Sequence, residues 1–355
     1  MRSRSKWLTP TGYFVLSAAI AGCQAADSPA STEIVAPRLE NAITVAAPAA
    51  DTGTAWLARP DLLQYDRLTG HLFALDFINK AIVEFTTSGE LVHMYAGRVG
   101  SGPQEVRNPW EFTLTPDHLF LWDEGRATVL RYSRSGEFEH EFPVDPQYKD
   151  ISSLVTGDLV MIPSATPGFT ADVIDPQGGV IGQVGELDFG LGDCVAACEV
   201  HGLAGGGFAV LFGIVPSLTV IGPNGDIVRT IEFGQVEDLE VWREEERALM
   251  GEHSHQAREQ RAIGGKMWVW DMSIVGPTTA LLNVLPAKVH ERGRELWLVD
   301  LESGDVVRTG YDRSTVGNSA ALGDALYTID VTDAGVYRYA VNEALRPYTA
   351  GHQSQ

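Results

Sequence analysis

Residues 71–90, HLFALDFINKAIVEFTTSGE, and residues 118–137, HLFLWDEGRATVLRYSRSGE, are one segment written twice, 47 positions apart and without a gap. His71 matches His118, Leu72 matches Leu119, Phe73 matches Phe120, Asp76 matches Asp123, and the Gly89-Glu90 turn matches Gly136-Glu137. A unit of this length cannot bury an apolar face alone, so its copies must pack against one another, and the period points to a radial or solenoid array. Within the unit, HLFALDF (71–77) is a nearly continuous apolar run, which predicts a strand covered on both faces. Ala81 to Phe85 and Leu91 to Tyr95 predict two more strands around the turn Thr87-Ser88-Gly89, and Leu62 to Tyr65 is read as the inner strand that precedes them.

The same grammar returns with drift over residues 151–185, 199–234 and 267–308, and residues 325–339 align with 118–132 at a constant offset of 207. That makes six units. Once a charged insertion over 236–263 is set aside, the spacing is about 44 residues, within the ~40 to 50 of propeller blades. The predicted fold class is all-β: a six-bladed β-propeller of four-stranded antiparallel blades, with one helical insertion between blades 4 and 5. The last unit lacks a fourth strand after Tyr339, and Ala42 to Val45 (AITV) is the segment that would supply it. Closure of this kind protects the edges an open sheet would expose. The propeller is thus expected over 41–346, with a C-terminal tail at 347–355.

The beginning of the chain does not carry this pattern. Arg2, Arg4 and Lys6 precede an apolar stretch, Tyr13 to Gly22, too short to span a bilayer comfortably. It ends in Ile20-Ala21-Gly22-Cys23, which resembles the lipobox of bacterial lipoproteins. That resemblance implies a signal peptide over 1–22, cleavage before Cys23 and lipidation of its thiol. Residues 23–40, rich in Ala, Ser and Pro, are read as a flexible tether. Gln24 rather than Asp follows the cysteine, which by the same resemblance implies delivery to the outer membrane. The chain carries a net charge of -21; such a surface repels phosphate backbones, which excludes nucleic acid as a partner and leaves the lipid anchor as the contact with a membrane.

Cys194 and Cys198 form a CxxxC pair, expected in an oxidising compartment to close a local disulfide. Only His201 lies close by in sequence, which is too few ligands for zinc. Three departures from the minimal repeat fall in blade-to-blade links: 97–110, 186–200 with both cysteines, and 235–265. Such links open on one face of a propeller, and loops displayed by a rigid scaffold carry function. The third insertion places Leu239, Trp242, Ala248 and Leu249 at helical spacing, which predicts a helix lying as a cap over the ring. His253 and His255 in it stand two apart, on opposite sides of a helix, and so could not share an ion. Asp76, Asp123 and Asp330 recur at equivalent places, which argues for a turn-stabilising role.

In the link after the first blade the chain reads Gly100-Ser101-Gly102-Pro103-Gln104-Glu105. Here it resembles the bacterial six-bladed β-propeller lipoproteins, related in fold to NHL-repeat and TolB-like propellers, whose first blades are commonly followed by Gly-x-Gly-Pro-Gly-Glu. Gln104 departs from that motif. What the resemblance implies is fold and export, not a reaction. There is no G-x-S-x-G elbow, P-loop or HExxH, so no catalytic residue, metal ligand or cofactor is assigned. The preferred reading is a membrane-tethered extracytoplasmic binding or scaffold protein whose loop-rich face meets a protein, peptide or glycan. Arg98, Arg107, Trp110 and Arg126 are the ligand-binding candidates, since aromatic and Arg side chains dominate hot spots. The alternative is a metal-dependent, lactonase-like hydrolase or lyase acting in the central channel. It would need convergent polar groups on the inner strands, which read as overwhelmingly apolar, with Asn283 a rare inner polar residue.

Overall fold

The computed structural model describes residues 33–35, 39–46, 56–163, 169–187, 198–212, 217–233, 268–285, 295–310, 316–330, 334–341, 343 and 345–346. Two short strands, β1 (Glu33–Val35) and β2 (Ile43–Ala46), come first. Blade 1 follows as β3 (Pro60–Asp66), β4 (His71–Asp76), β5 (Ala81–Phe85) and β6 (Leu91–Ala96). Blade 2 is β7 (Pro109–Leu114), β8 (His118–Asp123), β9 (Thr128–Ser133) and β10 (Phe138–Pro143). Blade 3 is β11 (Tyr148–Ser153), β12 (Leu159–Pro163), β13 (Phe169–Ile174) and β14 (Val180–Leu187), and blade 4 is β15 (Cys198–Gly202), β16 (Phe208–Phe212), β17 (Ser217–Ile221) and β18 (Ile227–Glu232). Blade 5 is β19 (Trp268–Ile274), β20 (Thr279–Leu285), β21 (Glu295–Asp300) and β22 (Val306–Gly310); blade 6 is β23 (Val316–Leu322), β24 (Leu326–Asp330) and β25 (Gly335–Tyr339), completed by β2.

Second and third strands are mostly buried because each blade is sandwiched between two others; β5 and β17 are buried at every residue. This is why their sequences lack a two-residue alternation. Buried apolar residues sort into six clusters, one for each interface between neighbouring blades. An open arc of six blades would have five. The sixth joins Leu63, Leu72 and Phe85 of blade 1 to Tyr327, Ile329 and Val336 of blade 6, with Ala46 of β2 among them. Ring closure is completed in the backbone by antiparallel pairing of Ile43 with Arg338 and Thr44 with Tyr337.

Three differences from the sequence reading have physical causes. Residues 33–35 do not belong to a free tether: β1 adds to blade 5 as a fifth strand, parallel to β22, pairing Ile34 with Val307. Leu39 follows with its side chain buried and its N–H on the carbonyl of Gly310 at 2.7 Å. The unpaired outer edge of a blade is a template for another strand. Second, the link expected over 186–200 is shorter, since β14 continues to Leu187 and the inner strand β15 begins at Cys198. Third, the helical insertion expected over 236–263 lies outside the described residues, as do Cys23, Cys194, Trp242, Leu249, His253, His255 and the tail at 347–355. Among the described residues no α-helix interrupts the blades, and none is long and apolar enough to cross a membrane.

Candidate functional site

The six inner strands, β3, β7, β11, β15, β19 and β23, converge on the ring axis. One cavity of about 160 Å³ takes its lining from all six, including Gln64, Thr113, Ser152, His201, Ser273 and Ala321. Those six residues occupy one layer, each on its own blade. Two residues earlier on each strand lies a second layer, nearer the face where the blade-to-blade links enter: Glu111, Asp150, Glu199 and Asp271 in blades 2 to 5, with Leu62 in blade 1. The expectation of an apolar channel is therefore overturned. Asn283 is not on an inner strand; it belongs to β20 and donates to Asp271 Oδ2 at 3.0 Å.

Both layers are tied into the ring. Asp150 takes the N–H of Val200 in the next blade; Glu199 takes that of Met272 at 2.6 Å, and Asp271 that of Ala320 at 3.3 Å. In the cavity-lining layer Thr113 Oγ1 accepts from Ser153 N–H at 2.9 Å, Ser152 Oγ accepts from Gly202 N–H at 3.1 Å, and Gln64 donates to the carbonyl of Phe112 at 2.9 Å. Strands splayed around an axis cannot form a continuous ladder across blades, so side chains supply the partners their inward backbone groups require. Glu111 stands apart: among the described residues its carboxyl accepts only from its own neighbour, Phe112 N–H, at 3.1 Å. At the far end Arg67, from the β3–β4 turn, donates to the carbonyl of Val275 in blade 5.

Burial governs the charge state of these groups. Removal from water pushes Glu199 and Asp271 up to about 8, with Glu199 adding to the effect on Asp271. Asp150 is raised to about 7 by burial, reinforced by Glu199 and opposed by His201. Glu111 is raised well above the usual carboxylate range by burial and then by Asp150 and Glu199. His201 is lowered, again by burial, and its Nε2 lies 3.9 Å from Glu199 Oε2. The side chains of Glu199 and His201 keep 23% and 20% of their exposure, and His201 lines the cavity. Acids that hold their protons into the neutral range thus stand two residues along the inner strands from the cavity lining, which includes an uncharged imidazole. Such groups can exchange hydrogen bonds and protons with a polar guest. Among the described residues no group of three or more His, Cys, Asp or Glu is arranged to hold a metal ion.

The link from Gly97 to Asn108 folds over the rim of the same face. Val99 and Val106 form a parallel bridge, and Glu105 turns back to accept from Gly102 N–H at 2.7 Å. A Cβ on Gly100 would lie 2.0 Å from the Glu105 carboxylate, so a side chain there would displace that carboxylate from its present position. Gln104, where the resembled motif has glycine, holds φ at 65°, the left-handed region that glycine adopts without strain. Arg98 and Arg107 are exposed on this loop, and Trp110, second residue of β7, is half exposed one position before Glu111. Arg126 is not an exposed candidate. Its side chain retains 10% exposure, donates to the Glu105 carbonyl and pairs with Glu141 at 2.9 Å, so it holds the loop on blade 2. Beneath the links, Asp76 and Asp123 do stabilise turns: Asp123 accepts from Arg107 and Asn108 N–H, both at 2.8 Å, and Asp76 from Arg59, Ile78 and Asn79.

Sequence reasoning missed the acid layer because the repeats were aligned on their second strands. A signal was present: Glu-x-Thr (111–113), Asp-x-Ser (150–152), Glu-x-His (199–201) and Asp-x-Ser (271–273) each precede a second strand by a similar interval.

Among solved structures, a candidate exported protein from Bacteroides fragilis superposes with a TM-score of 0.60 at 12% identity, covering 87% of this chain and 99% of its own. A streptogramin B lyase gives 0.53 at 8% identity over 85% and 97%, and the hydrazine synthase of Kuenenia stuttgartiensis 0.52 at 13% over 84% and 80%. At such identities the likeness is one of fold. The protein is a six-bladed β-propeller. No protein-family profile and no curated protein matches its sequence.

Proposed function

We propose that this protein is an exported, lipid-anchored binding propeller that takes a small polar ligand, or the polar end of a peptide or glycan, into its axial channel from the link-bearing face. The observation that carries the reading is the polar lining of the channel by Gln64, Thr113, Ser152, His201 and Ser273, with four acids that hold their protons two residues earlier on the inner strands. Concave sites with a few convergent polar groups are where small ligands bind. Arg98, Arg107 and Trp110 border that mouth and would contact whatever part of the ligand remains outside. Export and anchoring rest on the lipobox-like Ile20 to Cys23, the resemblance of the Gly100 to Glu105 loop, apart from Gln104, to that of lipoprotein propellers, and the fold shared with a candidate exported protein.

The test is a thermal-shift screen of small polar metabolites, oligosaccharides and short peptides against the wild-type chain and two variants. Stabilisation lost in Gln64→Phe, which fills the chamber, supports the channel; stabilisation lost only in Trp110→Ala moves the site to the outer loops. Anchoring is tested separately by palmitate labelling, which Cys23→Ser should abolish. A second reading, a channel hydrolase or lyase, is favoured by the Glu199–His201 pair, an acid and a neutral base 3.9 Å apart. It requires turnover of a bound compound that stops in Glu199→Gln while binding persists.

A further inference from the structure

We propose that Glu111 and Trp122 form a subsite in the axial channel for the primary ammonium group of a small amine. The inference rests on the channel reading above and names its ligand class. Three of the four acids in the upper layer are committed to the architecture, each clamping a backbone N–H of the next blade. Among the described residues Glu111 clamps no neighbouring blade.

Beside it stands an unexplained group. Trp122 is 1% exposed, and its indole N–H is buried without a hydrogen-bond partner. Trp122 is paired in register with Glu111 across β7 and β8, in the position that Asn283 holds towards Asp271 across β19 and β20. There the donor reaches the acid at 3.0 Å. In blade 2 the indole at the corresponding register position packs in the seam between blades 2 and 3, and its N–H makes no hydrogen bond. Buried orphan donors are rare enough to need a reason.

An N–H stabilises a carboxylate more than a neutral acid, because a bond to an ionised acceptor is about twice as strong. The orphan donor thus favours a state in which Glu111 has lost its proton. With Asp150, Glu199 and Asp271 all raising its affinity for that proton, the guest that brings this state about is a cation set against the carboxyl. The arrangement does not favour a divalent metal, since no three ligating groups are gathered among the described residues. An ammonium group needs one carboxylate and neutral acceptors, and Thr113, Ser152 and Ser273 supply hydroxyls in the layer below.

Isothermal titration of the mature full-length protein near neutral pH, in two buffers of different ionisation heat, tests this with 1,4-diaminobutane, its neutral analogue 1,4-butanediol, and calcium chloride. The diamine should bind with release of a proton to the buffer, and the diol should not bind. Glu111→Gln should weaken diamine binding at least tenfold and remove the proton release at an unchanged melting temperature. Trp122→Phe, which keeps the ring and deletes the donor, should weaken it several-fold; this second variant serves if Glu111→Gln does not fold. Equal affinity for the diol, diamine binding indifferent to both substitutions, or calcium bound in preference to the diamine would each overturn the proposal. Should the diamine fail while another compound binds in a Gln64-dependent manner, the subsite falls and the channel reading stands.

Discussion

Raising the pH from about 5 to about 9 should destabilise this propeller, against the usual behaviour of a protein rich in carboxylates. Asp150, Glu199 and Asp271 keep their protons in the folded ring to about 7, 8 and 8 but release them near 4 once unfolded. Between those limits the folded state binds more protons, so stability is complete below about pH 4 and is lost as the pH rises through the folded values. One acid moved by three to four units corresponds to ~5 kcal/mol. The acids share burial and repel one another, so their effects do not add, and the net loss should be on the order of 5 kcal/mol. For a chain of this size that is a fall in Tm of about 10 °C. Differential scanning fluorimetry across the range measures it, with the double variant Glu199→Gln/Asp271→Asn as control, which should flatten the profile. A Tm that is level or rises from about pH 5 to about 9, or a slope unchanged in the double variant, would refute the assignment of these acids to a desolvated channel.

Three further outcomes follow from local geometry. Gln104→Gly should stabilise the protein by ~1 kcal/mol in chemical denaturation, because the side chain at φ 65° is relieved. Gly202→Ala should cost about 3 kcal/mol, since its Cβ would stand 1.9 Å from the Ser153 carbonyl at the blade 3–4 seam. A chain beginning at Leu39 loses only β1 and should retain cooperative unfolding, whereas one beginning at residue 47 lacks the strand that closes blade 6 and should lose it, as read by circular dichroism melts.

The architecture was legible in the sequence to the level of blade count and closure. Apolar runs such as HLFALDF and AIVEF, with a turn through a positive-φ glycine after the third strand of blades 1 to 5, are local signals, and burial between two neighbours makes them alike from blade to blade. The closing strand was legible because the last unit is visibly one strand short. The docking of Glu33–Val35 on blade 5 was not, since three residues carry no period.

The sequence by itself determined that six similar sheets must form and that both ends of the chain must share one of them, because each unit's apolar faces can be buried only against its copies. Only the tertiary structure decided what lies on the axis. Glu111, Asp150, Glu199 and Asp271 stand in four blades on short strands with little in common. Rotation about the axis brings them into one layer, where desolvation sets their charge.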